Sequence, residues 1–153
     1  MLILAPMHPV MLVYDLDQTD GPDLPAHLMR FAQFEGQWEP RWLEHLIENA
    51  RRHWMIRIDF KHLSTTHGGF ATLGSKRDEK MRIAISESLS APSQFGVLCH
   101  EMAHILLGHL GSDKDHWWPS RSHLGRHSIE IEAEATAYIV TRHLGLKGGA
   151  MRA

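Results

Sequence analysis

The chain has 153 residues, a formal net charge of −2, 43% hydrophobic residues and 22% charged residues. This composition is typical of a folded globular protein and excludes a largely disordered chain. The length suits one hydrophobic core, so residues 1–153 are predicted to form a single domain.

The distribution of charge and apolar residues argues against two kinds of partner. Lys and Arg form no long run, so we expect no direct binding to nucleic acid. No apolar run approaches the roughly 20 residues of a membrane helix, and the first ten residues, MLILAPMHPV, lack the basic residues and longer apolar core of a secretory signal. With Cys99 as the single cysteine, the sequence predicts a cytoplasmic protein that does not enter a membrane.

The N-terminal part of the chain combines a strand candidate, a loop and a helix. Residues 9–16, PVMLVYDL, are apolar enough for a strand or an extended segment. Residues 17–25, DQTDGPDLP, are rich in turn formers, so residues 1–35 can form an extended arm. From residue 39 or 40 to about residue 54, apolar residues recur at helical spacing and predict an amphipathic helix.

Three short strands are predicted next, at residues 55–60, 69–73 and 81–86. In the third, Met81, Ile83 and Ile85 alternate with other residues, which is the period of a half-buried strand. Short connections that contain glycine join the three segments, so we predict an antiparallel sheet. His67 lies in the first connection and is expected on the surface.

Two longer helices are predicted in the second half of the chain. The segment SAPS at residues 90–93 marks the start of the first, and Leu110 and Gly111 are expected to end it. Its predicted buried stripe consists of Phe95, Leu98, Met102, Ile105 and Leu106. Ser128 is expected to cap the last helix, which Gly145 terminates. These elements together predict an α+β fold with a short antiparallel sheet packed on the first of the two helices.

The first of these helices contains the segment CHEMAHILLGH at residues 99–109. His100 and His104 are four residues apart, so their imidazoles lie on one helix face at a spacing that suits a tetrahedral zinc ion. Glu101 stands beside the metal rather than on it, where it can accept a proton from a metal-activated water. The motif predicts a zinc hydrolase, and most simply a peptidase.

A catalytic zinc ion needs a third protein ligand. The metzincin pattern is excluded because Gly108 and His109 are each one residue out of register; His109 is expected to cap or pack at the helix end. In the last helix, Glu130 and Glu134 share a face with two alanines, whereas Glu132 points roughly the other way. We predict that Glu130 is the third ligand and that Glu134 orients a ligating histidine, with the reverse assignment as the alternative.

Two segments carry a resemblance to a known family. HEMAHILLGH at residues 100–109, followed by EIEAEATAYIV at residues 130–140, resembles the ImmA/IrrE family of metallopeptidases and is also similar to the metallopeptidase domain of ArdC-type antirestriction proteins. The resemblance implies a small zincin-like fold of the gluzincin type. It also implies that zinc is bound by His100, His104 and Glu130, with Glu101 as the general base.

The sequence departs from the family pattern near the third ligand. Family members often have Asn or Asp four residues after that ligand, whereas this chain has Glu134 four residues after Glu130. Counting from Glu132 instead places Thr136 at that position. The resemblance therefore leaves the choice of third ligand open, while the two histidines match the pattern.

The resemblance also implies an activity and a class of substrate. It indicates a zinc-dependent endopeptidase that cleaves a regulatory protein, such as a helix-turn-helix repressor of a mobile element or of a stress response. The alternative is an antirestriction or regulatory binding protein with a structural or vestigial zinc site, which the presence of Glu101 opposes. The strand at 81–86 is expected to offer an edge to an extended peptide, and the candidate oxyanion stabilisers are Tyr138, His123, His127 and Arg121.

Overall fold

The computed structural model describes residues 2–3, 11–12, 33–63, 67–75, 77–112 and 118–148. Of the predicted strand at 9–16, Met11–Leu12 is described, as a strand paired antiparallel with Leu2–Ile3. The rest of that segment, the loop at 17–25 and most of the predicted arm at 1–35 lie outside the described residues.

The described residues form three helices and several short strands, so the predicted α+β class is confirmed. In chain order the elements are β1 (Leu2–Ile3), β2 (Met11–Leu12), β3 (Phe34–Gly36), α1 (Pro40–Trp54), β4 (Ile56–Lys61), β5 (Gly69–Leu73), β6 (Met81–Ser86), α2 (Ala91–Leu106), α3 (Arg126–His143) and β7 (Leu146–Gly148). None of these helices has the length and apolar character of a membrane span.

The central strand of the main sheet is β6, in the order β4-β6-β5. β5 pairs with β6 antiparallel, as predicted, with Ala71 opposite Ile83. β4 pairs with β6 in parallel, with Ile58 opposite Ile83, so the prediction of a wholly antiparallel sheet is wrong. The reason is strand order: the chain reverses direction after β4 and again after β5, and β6 then inserts between the two earlier strands.

The central position of β6 follows from its burial. Five of its six residues are buried, more than in β4 or β5, and a strand covered by neighbours on both sides is the most favourable place for such a run. Because β6 has a hydrogen-bonded partner on each side, the expectation that it offers an edge to a peptide is also wrong.

The apolar stripe predicted for α2 lies in the hydrophobic core. Leu98, Met102 and Ile105 are buried in one cluster with the apolar residues of β6. Phe95 belongs to a second cluster, formed with Cys99, Ala137 and Leu146. α2 is therefore covered on one side by the sheet and on another by α3 and β7, which leaves little freedom for its backbone to move.

Small residues bring α3 close to α2. Ala133 and Ala137 are 0% and 3% exposed, as expected for a face of α3 that packs on another helix. Polar side chains of α3 therefore come within reach of one face of α2. Elsewhere on α2, Gly96 lies against β3, since an added Cβ at this position would overlap the ring of Phe34.

Both long helices end or begin at residues other than those predicted. α2 ends at Leu106, four residues earlier than expected, and Gly108 then turns the chain with a left-handed φ of +75°. α3 begins at Arg126 with Gly125 as its N-cap, so Ser128 lies inside the first turn and is not the cap.

Ala133→Leu is expected to lower the free energy of unfolding by about 1 to 3 kcal/mol, because the longer side chain has no space between α3 and α2. Urea unfolding followed by circular dichroism measures the change. Ala135→Leu, at a half-buried position of the same helix, is the matched control and should have a much smaller effect. Equal losses in the two variants would contradict the close packing of α3 on α2.

Candidate metal centre

His100 and His104 lie one turn apart on the face of α2 that is turned toward α3. Their ring centroids are 4.8 Å apart and their Nε2 atoms are 3.0 Å apart. His104 is 9% exposed, whereas His100 is partly accessible from the cavity. Because the rest of α2 is anchored in the core, the helix backbone fixes the separation of the two rings.

Glu130 of α3 completes a group of three donor atoms. Its Oε2 lies 3.5 Å from Nε2 of His100 and 3.7 Å from Nε2 of His104. Ligands bound tetrahedrally to zinc at about 2.0 to 2.2 Å are separated from one another by about 3.3 to 3.6 Å. The three observed separations, 3.0, 3.5 and 3.7 Å, therefore suit a metal ion of that kind.

The electrostatics of the histidine pair favour a cation between the rings. Burial opposes a charge on His100, but its hydrogen bond to Glu134 and the neighbouring carboxylates outweigh burial and raise its pKa. Burial and the neighbouring His100 lower the pKa of His104 to about 4. Two imidazole nitrogens 3.0 Å apart need a positive group between their lone pairs, either a proton on one ring or a metal ion.

Glu134 lies beside the other nitrogen of His100. Its Oε2 is 3.4 Å from Nδ1 of His100. A carboxylate in this place accepts the Nδ1–H and leaves the Nε2 lone pair directed toward His104 and Glu130. The structure thus places Glu130 on the Nε2 side of the histidine pair and Glu134 on the Nδ1 side.

Glu101 is buried beneath β5, the outer strand of the sheet. Its carboxylate accepts a hydrogen bond from the backbone N–H of Ala71. Gly69 allows the strand to come this near, since a Cβ there would lie 2.7 Å from Cγ1 of Val97 and 3.5 Å from Cγ of Glu101. Burial raises the pKa of Glu101 to about 7, although His100 and Ala71 act in the opposite direction. The side chain can therefore take up and release a proton near neutral pH.

A cavity of about 480 Å³ opens beside these groups. The donor triad, Glu101 and Glu134 lie in its lining, and β5 and α3 form two of its walls. Other lining residues are Phe34, His67, Phe70, Leu110, Arg126 and Ile129. His67 is exposed, as the sequence predicts, and it also lies in the lining of the cavity, just before the edge strand.

The four candidate oxyanion stabilisers are placed elsewhere. Among the described residues that line the cavity, none is Tyr138, His123, His127 or Arg121. Tyr138 is 41% exposed and lies beneath the guanidinium of Arg142, and His123 and His127 are exposed. The guanidinium of Arg121 makes two hydrogen bonds to Glu132 and is engaged there.

His109 and Glu132 make contacts that the sequence does not predict. Nδ1 of His109 is 3.0 Å from Nδ1 of His104, and Nε2 of His109 is 3.0 Å from Oε2 of Glu132. Glu132 therefore does not point away from the zinc-motif helix but bonds to the turn that follows it. The Arg121 guanidinium and His109 hold the pKa of Glu132 below its usual value.

One comparison with known proteins gives a match. The family model of the IrrE N-terminal-like domain, Peptidase_M78, matches residues 51–141, which is more than half of the chain. The matched range runs from the last turn of α1 through most of α3 and contains His100, Glu101, His104 and Glu130. Searches of curated proteins and of solved structures give no significant match.

Glu101→Gln is expected to stabilise the metal-free protein, and increasingly so at higher pH. The folded-state pKa of about 7 lies above the ordinary value of 4.5, so the folded protein holds this proton more tightly than the unfolded chain. Wild-type stability is therefore lost as the pH rises from 4.5 to about 7, by at most about 3 kcal/mol.

Urea unfolding in the presence of a chelator, at pH 5 and at pH 8, measures this effect. The variant should gain little at pH 5 and most of the difference at pH 8, since glutamine carries no ionisation cost. The attraction between His100 and an ionised Glu101, which the variant lacks, opposes the cost of burial and is already included in the pKa of about 7. A difference that is the same at both pH values would contradict the burial of an ionisable Glu101.

Proposed function

Because the chain belongs to the Peptidase_M78 family of IrrE N-terminal-like domains, we propose that it is a zinc-dependent endopeptidase. The proposed fold is zincin-like, of the gluzincin type, and the whole chain forms one domain. His100, His104 and Glu130 bind the zinc ion, Glu134 orients His100, and Glu101 is the general base.

One observation carries this proposal. The Nε2 atoms of His100 and His104 and a carboxylate oxygen of Glu130 form a triangle, and the buried carboxyl group of Glu101 lies beside it. The donor set of two histidines and one glutamate is one that zinc hydrolases use, and it leaves a fourth position for water or substrate. Zinc held in this way acts as a Lewis acid toward the scissile carbonyl and lowers the pKa of a water toward about 7.

Glu101 moves the proton in the proposed reaction. It accepts a proton from the attacking water and delivers it to the leaving amine. Its pKa, which burial raises toward neutrality, suits this exchange, and a positive charge nearby favours the ionised form that accepts the proton. The hydrogen bond from the N–H of Ala71 holds the carboxylate in place during both transfers.

The edge of β5 supports a polypeptide as the substrate. Among the described strands β5 pairs with β6 alone, and Phe70 and Ala71 line the cavity next to the donor triad. An extended peptide can pair with the outer edge of such a strand and form backbone hydrogen bonds whatever its sequence. A peptide in that place would lie beside Phe70 and Ala71, and the second of these residues is hydrogen-bonded to Glu101.

The proposed substrate is a regulatory protein of the cytoplasm, such as a helix-turn-helix repressor of a mobile element or of a stress response. This part of the proposal comes from the resemblance of residues 100–109 and 130–140 to ImmA/IrrE metallopeptidases. Because Lys and Arg form no long run in the sequence, a protein and not nucleic acid is proposed as the direct partner.

Glu101→Gln should retain zinc and lose peptidase activity by about 100-fold to 10,000-fold, the range expected for removal of a general base. Cleavage of a fluorogenic peptide library and zinc content by elemental analysis are measured on the same samples. Glu44→Gln, on the exposed side of α1, is the matched control and should keep full activity. A Glu101→Gln protein that binds zinc and retains the wild-type biological effect would favour the binding protein with a structural or vestigial zinc site.

The assignment of the two carboxylates is tested by zinc affinity, measured by competition with a chromophoric chelator. Glu130→Gln removes a proposed ligand and should abolish stoichiometric binding at micromolar zinc. Glu134→Gln removes the group that orients His100 and should weaken binding by about 10-fold to 100-fold while the stoichiometry stays at one. The opposite result in the two variants would show that their roles are exchanged.

A further inference from the structure

We propose that Arg121, Glu132 and His109 form a hydrogen-bond chain that holds the proton of His104 on Nδ1 and so keeps its Nε2 lone pair free for the metal. His109 and Glu132 are positioning residues in this proposal, because they act through His104 and lie outside the donor triad. The inference rests on the proposed zinc site, although the proton position in His104 can be tested without metal.

The hydrogen-bond chain starts at the ion pair of Arg121 and Glu132, whose chemistry allows one arrangement of protons. Nη1 and Nη2 of Arg121 donate to Oε2 and Oε1 of Glu132 over 2.7 and 2.6 Å. With a guanidinium on both oxygens, Glu132 acts as an acceptor. Its Oε2 must then accept a further proton from Nε2 of His109, which lies 3.0 Å away.

The remaining proton positions follow from the tautomers of imidazole. In the proposed chain His109 carries one ring proton, on Nε2, and has a lone pair on Nδ1. That lone pair faces Nδ1 of His104 over 3.0 Å, so His104 must donate from Nδ1. The Nε2 atom of His104 is then unprotonated, on the side where Glu130 and His100 lie, and in the metal-free protein it accepts a hydrogen bond from Nε2–H of His100, 3.0 Å away.

Burial keeps this arrangement from being replaced by water. The side chain of His109 is 0% exposed, so neither of its nitrogens has solvent as an alternative partner. An unpaired buried nitrogen would cost about 1 to 3 kcal/mol. Among the described residues, Glu132 is therefore the partner of Nε2 of His109, and His104 is the partner of its Nδ1.

The turn after α2 brings His109 back under His104. Gly108 has φ of +75°, and a Cβ at this position would overlap the carbonyl of Pro119. The N–H of His109 donates to the carbonyl of His104 over 3.0 Å, and the N–H of Arg121 donates to the carbonyl of Gly108 over 2.7 Å. The same turn thus fixes the backbone of both Arg121 and His109 in the hydrogen-bond chain.

Glu132→Gln tests the proposal because it should release the proton of His104 from Nδ1. Oε2 of Glu132 accepts from both Nη1 of Arg121 and Nε2 of His109, so in either orientation of the amide its NH₂ faces a donor of Arg121. One of the two orientations turns the NH₂ toward His109, which then accepts at Nε2 and donates from Nδ1, and His104 is left with its proton on Nε2, where it blocks the metal. Because each orientation keeps two hydrogen bonds, both tautomers of His104 should be populated. We expect the zinc affinity to fall by about 10-fold to 100-fold.

The double variant Arg121→Ala/Glu132→Gln is the control that separates positioning from simple structural damage. Without the guanidinium, the amide can turn its oxygen toward His109 and restore the original tautomers. Zinc affinity should therefore recover toward the wild-type value although two side chains are changed. A double variant that binds zinc more weakly than Glu132→Gln would overturn the proposal.

The tautomer of His104 is read directly from long-range ¹H–¹⁵N NMR spectra of metal-free protein, with zinc affinity measured in parallel. The wild type should show the proton on Nδ1, and Glu132→Gln should show a substantial share of it on Nε2. If Glu132→Gln does not fold, His109→Phe replaces it, and both tautomers of His104 should then be populated. If the tautomer of His104 is unchanged in the variant, the proposed hydrogen-bond chain is overturned. If the wild type binds no zinc, the proposed function is contradicted, and the NMR test of the hydrogen-bond chain still applies.

Discussion

The contact between α2 and α3 is the interaction on which the candidate metal centre depends. α2 is held from the sheet side by its apolar stripe, and Ala133 and Ala137 let α3 lie close along its other side. Apolar burial drives this packing, yet the same contact brings Glu130 to 3.5 and 3.7 Å from the two Nε2 atoms of the histidine pair. A wider separation of the helices would leave two histidines without their third partner, so the core and the site are stabilised by the same packing.

The polar groups at this contact are held by other side chains as well as by the helix backbones. Buried nitrogens and carboxylates are costly unless each has a partner. His100 lies between Glu130 and Glu134, and His104 reaches Glu132 through the buried ring of His109. The three glutamates of α3 thus contact three different groups. Glu130 lies beside the Nε2 atoms of the histidine pair, Glu132 bonds to His109, and Glu134 lies beside Nδ1 of His100. Such support from a second layer of side chains is what sets ring orientation in known metal sites.

The sheet contributes the opposite wall of the cavity and the setting of the proposed base. β5 reaches α2 because Gly69 has no side chain, and the N–H of Ala71 is hydrogen-bonded to Glu101. The strand proposed to bind an extended peptide is therefore in contact with the group proposed to move the proton. In a peptidase of this design, the position of the substrate backbone and the position of the base are coupled through one short strand.

The sequence by itself determined the features that depend on residues close together in the chain. Helical spacing was enough to place His100, Glu101 and His104 on one buried helix and to put Glu130 and Glu134 on the face of α3 that meets it. Strand order, and with it the parallel pairing of β4 and β6, was decided by the tertiary structure, because alternation indicates a strand but not its neighbour.

The contact of His109 with Glu132, 23 residues apart, was likewise decided by tertiary structure. It needs both the backward turn after α2 and the return of α3 along α2, and neither distance nor ring orientation across such a turn is encoded in local spacing.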